Sequence, residues 1–311
     1  MIQYNKTIGG MLKEQDMSGD GVWIHLLNPT RDELEQVCGE TGAQLDLLQA
    51  ALDEEETPRL ERDDDQALIL VDIPVVEPEG TSFMYNTIPL GILLMDKMVI
   101  TVCLAETTII DDFLENRVRG FDTCKKTRFI LQLLFKSSTK FLQYLRQIDK
   151  ATTQVENALR KNMRNSELMG MLKLEKSLVF FSTSLKSNEA VLEKLLKPGM
   201  IKQYPEDTDL LEDVIIENKQ AMEMSAIYRD ILTGTMSAFA SMISNSLNNV
   251  MKFLTAVTII IAVPTLIASL WGMNVDVPFE NSGLLGFWVL AGFSLVGAGL
   301  TMYILWRRKM L

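Results

Sequence analysis

The side chains able to do chemistry are few, and most of them offer oxygen. Two carboxylate runs stand out, Asp53-Glu54-Glu55-Glu56 and Asp63-Asp64-Asp65. Carboxylate oxygens suit hard divalent cations, although such runs also serve as solvated turns. The three cysteines, Cys38, Cys103 and Cys124, make no metal-spaced pair, and they read as reduced thiols. The single histidine, His25, lies in the apolar run 22–26, where a strand residue is expected. No paired catalytic side chains, glycine-rich phosphate loop or nucleophile elbow appears, so a soluble enzyme is the class with least support. Oxygen also occurs in an unusual setting. Thr258 and Thr265 sit inside a long uncharged apolar run, and Asn274 follows that run. Taken alone, Asn274 reads as a loop residue after a helix.

The elements that must position these groups are two apolar stretches. Val250 to Leu270 carries no charge after Lys252. It is long enough to cross a bilayer core of roughly 30 Å as a helix. Leu284 to Trp306 is a second such stretch, ending in Arg307-Arg308-Lys309. The intervening loop, 272–283, holds Asp276 and Glu280 and no Lys or Arg. The positive-inside rule therefore puts the loop outside and both chain ends in the cytoplasm of a cell membrane. The N-terminal residues lack an apolar run of the signal-peptide kind, so no cleaved signal is expected, and the first span would direct insertion. The formal net charge of −11 and a pI near 4.8 argue against a nucleic-acid partner.

The chain before the spans divides by periodicity. Residues 1–105 read as an α/β domain. Val22 to Leu26 is a strand, Thr30 caps a helix with Glu33 at capping-box spacing, and Leu45 to Glu55 is a second helix broken at Thr57-Pro58. Strands follow at Ala67 to Val76, Phe83 to Met95 and Met98 to Leu104, with Asp96-Lys97 as a turn. Residues 106–200 read as helix from Thr107 to about Lys197, folded into an antiparallel hairpin around 162–166 and stopped by Lys197-Pro198-Gly199. Residues 201–249 form a stalk helix that starts near Glu206 and runs on into the membrane, on the order of 100 Å in all. Its apolar stripe is interrupted by Asn218, Ser225 and Arg229, which suits the wall of a wet funnel built from several copies. The remainder divides into a first span at 250–271, the loop at 272–283, a second span at 284–306 and a basic tail at 307–311.

Gly272-Met273-Asn274 directly after a first span, a second span, and a basic C-terminus within a few residues resemble the CorA family of divalent-cation (magnesium) transporters. Asn248-Asn249-Val250-Met251-Lys252-Phe253-Leu254-Thr255 and Pro264-Thr265-Leu266-Ile267-Ala268 are similar to the family as well, and so, more loosely, is the N-terminal pattern at Asn28-Pro29-Thr30 and Pro58-Arg59-Leu60-Glu61. The resemblance implies an α/β/α cytoplasmic domain, a helical hairpin, a very long stalk helix and two C-terminal transmembrane helices in a pentameric funnel. It implies Mg2+ as cargo and as regulatory ligand, without an organic cofactor. The partners would be divalent cations, the lipid bilayer and four further copies of the chain.

The implied site follows. Gly272, Met273 and Asn274 form the selectivity motif, in which five Asn274 amides would meet the water shell of an entering ion. Gly272 would allow an unusual backbone turn at the helix end. The face of the first span that carries Asn248 includes Met251, Leu254, Thr255, Thr258, Ala262 and Thr265. Met251 and Leu254 are candidates for an apolar gate, and the threonine hydroxyls could meet a hydrated ion. Many members carry Met where this chain has Ala262. Many also have Met-Pro-Glu-Leu after the motif, where this chain has Val275-Asp276-Val277-Pro278-Phe279-Glu280; Asp276 and Glu280 keep acid at the mouth. Asp213 aligns with an acidic regulatory position, and its partner on a neighbouring chain would be Asp63, Asp64 or Asp65. Passive magnesium uptake gated by cytoplasmic divalent ions is the function implied. A cobalt, nickel or zinc transporter of the same fold remains an alternative, as does a membrane-anchored coiled-coil sensor. Soft metals prefer Cys or His ligands, and neither span contains one.

Overall fold

Side chains of residues 66–79 alternate between two separate cores, and that alternation sets the architecture of the N-terminal part. Leu68 and Leu70 point into one core, while Ile69, Val71, Ile73 and Val75 point into the other. A sheet buried on both faces needs helices on both, which is the three-layer α/β/α arrangement. The protein is described by a computed structural model covering every residue except 18, 64, 80, 81, 162–164, 198, 200, 203, 275–277, 279–282, 309 and 311.

The strands are β1 (Ile2–Ile8), β2 (Met11–Gln15), β3 (Val22–Leu27), β4 (Arg59–Asp63), β5 (Gln66–Glu79), β6 (Ser82–Leu94) and β7 (Val99–Cys103). They form one sheet in the order β2-β1-β3-β7-β6-β5-β4, antiparallel except where β3 lies parallel to β7. One face is covered by α1 (Arg31–Thr41) and α2 (Leu45–Gln49) through Leu34, Val37, Leu47 and Leu48. The other is covered by α3 (Thr108–Leu114), α4 (Lys126–Lys161) and α5 (Asn165–Leu195). Helix α6 (Thr208–Trp271) adds Val214 to that second core. Trp23, Phe113, Phe121 and Phe129 meet edge to face in it, with ring centroids 4.8 to 6.3 Å apart.

Local chemistry explains the boundaries. The expected capping box is present: the Thr30 side chain accepts from Glu33 N, and the Glu33 carboxylate accepts from Thr30 N at 2.8 Å. The expected helix at Leu45 to Glu55 is shorter. It ends at Gln49, with a single 3₁₀ turn at Ala50–Leu52. Four consecutive acids follow, and Asp53 instead accepts from Glu55 N at 3.0 Å, an Asx turn that competes with helix. The stretch from Thr107 is likewise not one helix. It breaks after Leu114, where Asn116 takes a positive φ of 58° and its amide oxygen accepts from Leu12 N. Strands β1, β2 and β4 have too little apolar alternation to be read from sequence; β4, Arg-Leu-Glu-Arg-Asp, has one buried residue.

Asn188 on α5 supplies a further constraint. Asp72 lies opposite Pro89, which has no N–H to give, and beyond Leu70↔Arg59, the pair at which β4 starts. The Asn188 amide fills the gap, accepting from Asp72 N at 2.9 Å and donating to Asp72 O at 2.8 Å. The helix is thereby fixed to the sheet by main-chain satisfaction as well as by apolar contact.

Helix α6 corrects the reading of two of its three polar interruptions, while Arg229 stays partly exposed. Asn218 is 1% exposed and Ser225 is 0% exposed. Asn218 Nδ2 donates to Leu185 O and Ser225 Oγ to Leu178 O, each at 3.1 Å. These side chains face α5 and do not line a wet surface. Buried positions Leu211, Asn218, Ser225 and Leu232 on α6 step by seven, as do Met171, Leu178, Leu185 and Leu192 on α5. This is the seam of an antiparallel helix pair with two polar layers in the middle.

Two compact units are separated within α6, Met1–Gly234 and Thr235–Leu311. The second contains the rest of α6 and α7 (Leu284–Arg307).

Candidate metal-ion path

Within the second unit, one face of α6 packs and the opposite face does not. Ala256 is buried, and Val257, Ile260, Val263, Pro264, Ile267 and Trp271 are half-buried. Helix α7 lies on this side. A Cβ added at Gly297 would stand 3.1 Å from Val263 Cγ1 and 3.7 Å from Ile267 Cδ1. Ile267, Leu270 and Trp271 share an apolar cleft with Gly286, Val289, Leu290 and Phe293 of α7. Glycine at 297 therefore permits the close approach. The sequence signal for it was the small cluster Gly297-Ala298-Gly299, which the reading above passed over.

The residues expected on an ion path lie elsewhere. Asn248, Met251, Leu254, Thr255, Thr258, Ala262 and Thr265 are all exposed. At 3.6 residues per turn, their mean direction and that of the packed face differ by about 180° around the helix. The second span thus leaves this face open. Met251 and Leu254 are 59% and 57% exposed, large apolar side chains that the single chain does nothing to cover.

The two threonines already use their protons. Thr258 Oγ1 donates to Leu254 O at 2.8 Å, and Thr265 Oγ1 donates to Ile261 O at 2.9 Å. A hydroxyl whose proton points back along its own helix presents only lone pairs outward. Such an oxygen can accept from the water shell of a cation and cannot donate to an anion.

At the end of α6, Gly272 N donates to Ala268 O at 3.0 Å, which continues the helical pattern for one more residue. Gly272 is not among the glycines with positive φ. The unusual turn expected there is absent. A Cβ at 272 would stand 3.4 Å from Ala268 O, an ordinary van der Waals contact. Met273 and Asn274 are exposed directly beyond it. Trp271 Nε1 donates to Pro278 O at 3.0 Å, tying the following chain back to the helix end. Asp276 and Glu280 lie outside the described residues.

The proposed regulatory carboxylates are in the first unit. Asp213 is exposed between the buried Leu211 and Val214. Asp63 ends β4 and accepts from Gln44 Nε2 at 2.7 Å. Asp65 is exposed in the β4–β5 turn, and Asp64 lies outside the described residues. Among the described residues of one chain, no three His, Cys, Asp or Glu side chains converge on a metal position. Of the soft ligands, Cys103 and His25 are buried, Cys38 is half-buried and Cys124 is exposed. Burial pushes the Cys103 thiol up to about 11 and holds His25 neutral, its pKa lowered to about 4.

Two helices, those ending at Trp271 and at Arg307, are long and apolar enough to cross a membrane, and 6% of the most apolar 18-residue window of each is buried within the chain. The family model described as CorA-like Mg2+ transporter protein matches residues 18–308. A cobalt/magnesium transport protein CorA of Methanocaldococcus jannaschii is 29% identical over 296 residues, covering 92% of this chain and 90% of that protein. The complete structure of the CorA magnesium transporter from Methanocaldococcus jannaschii superposes with a TM-score of 0.85 at 26% identity, over 98% of this chain and 96% of that one. The full-length CmaX protein shares the fold, with a TM-score of 0.71 at 17% identity, over 99% of this chain and 97% of that one. The match of the family model to nearly the whole chain, on a fold with an α/β domain, a long helix and two apolar C-terminal helices, places the protein in the CorA-like Mg2+ transporter family.

Proposed function

We propose that the chain is a passive divalent-cation channel for magnesium uptake, working as a homopentamer in the cell membrane with both termini in the cytoplasm. One chain with two spans cannot enclose a path, so a closed ring of copies is required. The observation that carries the reading is the placement of α7 opposite the face that bears Asn248, Met251, Thr255, Thr258, Ala262 and Thr265. That face is free to look inward, and its threonines are set as acceptors. Asn274 would give five neutral carbonyls at the outer end. Neutral acceptors suit Mg2+, which dehydrates reluctantly and is contacted through its water. A ring of charges would hold the ion too long for conduction. Cobalt, named together with magnesium for the Methanocaldococcus relative, is a second cargo.

The test is divalent flux in liposomes. Asn274→Ala is expected to abolish Mg2+ uptake while assembly and membrane insertion persist. Asn274→Asp is expected to impair uptake as well, because crowded carboxylates raise one another's pKa and retain ions. Near-normal flux through Asn274→Ala would remove the selectivity role.

We further infer that cytoplasmic divalent ions close the channel by binding between protomers, with Asp213 on one chain and Asp63, Asp64 or Asp65 on the next. The exposure of Asp213 on a helix otherwise packed at Leu211 and Val214 supports this. Binding would relieve like-charge repulsion across the interface and raise the closed population.

A further inference from the structure

At one end of the sheet of the first unit lies a cavity of about 420 Å³. That volume is within the usual range for small-molecule sites. Its wall combines the end of β4, the turn after β6, the start of α4 and the segment before α6. Three cations reach it: Arg62, Lys126 and Lys202. In a chain of net charge −11, none of the three has a carboxylate within ion-pair distance among the described residues.

Main-chain oxygens hold two of these cations instead. Lys126 Nζ donates to Met95 O at 3.0 Å and to Asp96 O. An ammonium has three donors, so one remains for a ligand. Arg62 Nη1 donates to Gly199 O, which leaves most of its guanidinium fork unused. The Lys202 main chain is anchored where Thr127 Oγ1 donates to Lys202 O at 2.7 Å, and its ammonium lies 5.1 Å from the Tyr204 ring centroid. Helix α4, 36 residues long, begins at Lys126 and adds its positive end to the same wall.

Two carboxylates, Asp65 and Asp96, also line the cavity. A bare polyanion would meet them as like charges. A polyphosphate that carries a divalent cation would not, because carboxylates and water are the ligands such a cation takes beside phosphate. The Tyr204 ring offers a flat apolar surface for a base. We propose that this cavity binds a nucleotide polyphosphate chelated to a divalent cation, with Arg62, Lys126 and Lys202 on the phosphates and Asp65 and Asp96 toward the metal. This inference does not rest on ion flux through the spans.

The experiment is calorimetric titration of the full-length protein in detergent with Mg-ATP, with ATP in excess EDTA, with magnesium pyrophosphate and with adenosine. Mg-ATP is expected to bind, magnesium pyrophosphate to compete with it, and ATP in EDTA to bind more weakly. Lys126→Ala and Lys202→Glu are each expected to raise the Kd about tenfold or more, the scale of one lost charge-assisted contact. Lys126 also supports a turn, so Lys202→Glu is the decisive variant: among the described residues, its ammonium lies against the Tyr204 ring and makes no ion pair. No heat with Mg-ATP, an unchanged Kd in Lys202→Glu, or competition by adenosine but not by magnesium pyrophosphate would overturn the polyphosphate site. Equal affinity for ATP in EDTA would overturn the role given to the metal.

Discussion

Asn218 Nδ2 on α6 donates to the main-chain oxygen of Leu185 on α5 at 3.1 Å, in the interior of a largely apolar seam. One heptad on, Ser225 repeats the contact to Leu178 O. In an apolar seam every one-heptad shift is nearly degenerate. Main-chain carbonyls recur in every heptad, but a one-heptad slide would bring the bulkier Asn218 amide to the Leu178 layer that fits the Ser225 hydroxyl, so the two unlike polar layers favour this register.

Removing a buried donor should therefore separate stability from register. Asn218→Ala leaves a void and an unmet carbonyl lone pair, and is expected to cost about 1–3 kcal/mol in denaturant unfolding. Asn218→Leu is expected to recover most of that stability. Its register should loosen, read as greater mobility of a spin-label pair placed across α5 and α6. A Leu variant as rigid as the parent would contradict the assignment.

His25 makes stability depend on pH with a definite sign. Its Nδ1 is 2.9 Å from Thr101 Oγ1, and burial lowers its pKa from 6.5 to about 4. The unfolded chain binds this proton at higher pH than the folded chain does. Stability is complete above the unfolded value and falls as pH drops from about 6.5 toward about 4, by at most about 3 kcal/mol. Thermal unfolding of His25→Gln should show a shallower acid slope over that window.

Gly297 is a point of close approach between the two apolar helices. Gly297→Ala must push Val263 Cγ1 back by a few tenths of an ångström, and Gly297→Leu would force the helices apart. Overpacking of this kind costs about 1–3 kcal/mol. Mg2+ flux in liposomes is expected to fall slightly in the first variant and severely in the second. Equal flux in both would show that the α6–α7 contact does not set the path.

Asp213→Lys places a cation where the proposal has a regulatory divalent ion. The variant channel is expected to stay active at internal magnesium concentrations that silence the parent, with unaltered conduction at low magnesium. Unchanged inhibition would remove Asp213 from regulation.

The membrane half was legible because its signals are local and one-dimensional. Length, absence of charge and the flanking basic residues define Val250 to Leu270 and Leu284 to Trp306 without reference to any partner. The capping box at Thr30 is local too. What escaped was set by tertiary context. Strand β4 exists because β5 offers it an edge, and its own sequence, with one buried leucine, gives no alternation to read. Asn218 and Ser225 read as wet positions because polarity on a helix usually means solvent. Their burial follows from carbonyls on α5, about 33 to 47 residues earlier in the chain. Gly272 was expected to turn the backbone, and instead its N–H continues the helical pattern to Ala268 O without a positive φ.

The parallel ladder between β3 and β7 has a bearing on biosynthesis. Trp23 pairs with Val99 and Leu27 with Cys103, so the centre of the sheet stays open until the chain has emerged past residue 103. Its second core then waits for Val214 on α6. The apolar stretch from Val250 leaves the ribosome soon afterwards, and the second stretch follows within several seconds at about 5–20 residues per second. These two adhesive segments are thus made after the upstream body, which can already have closed, and the interval in which they could be captured by an unfinished sheet is kept short.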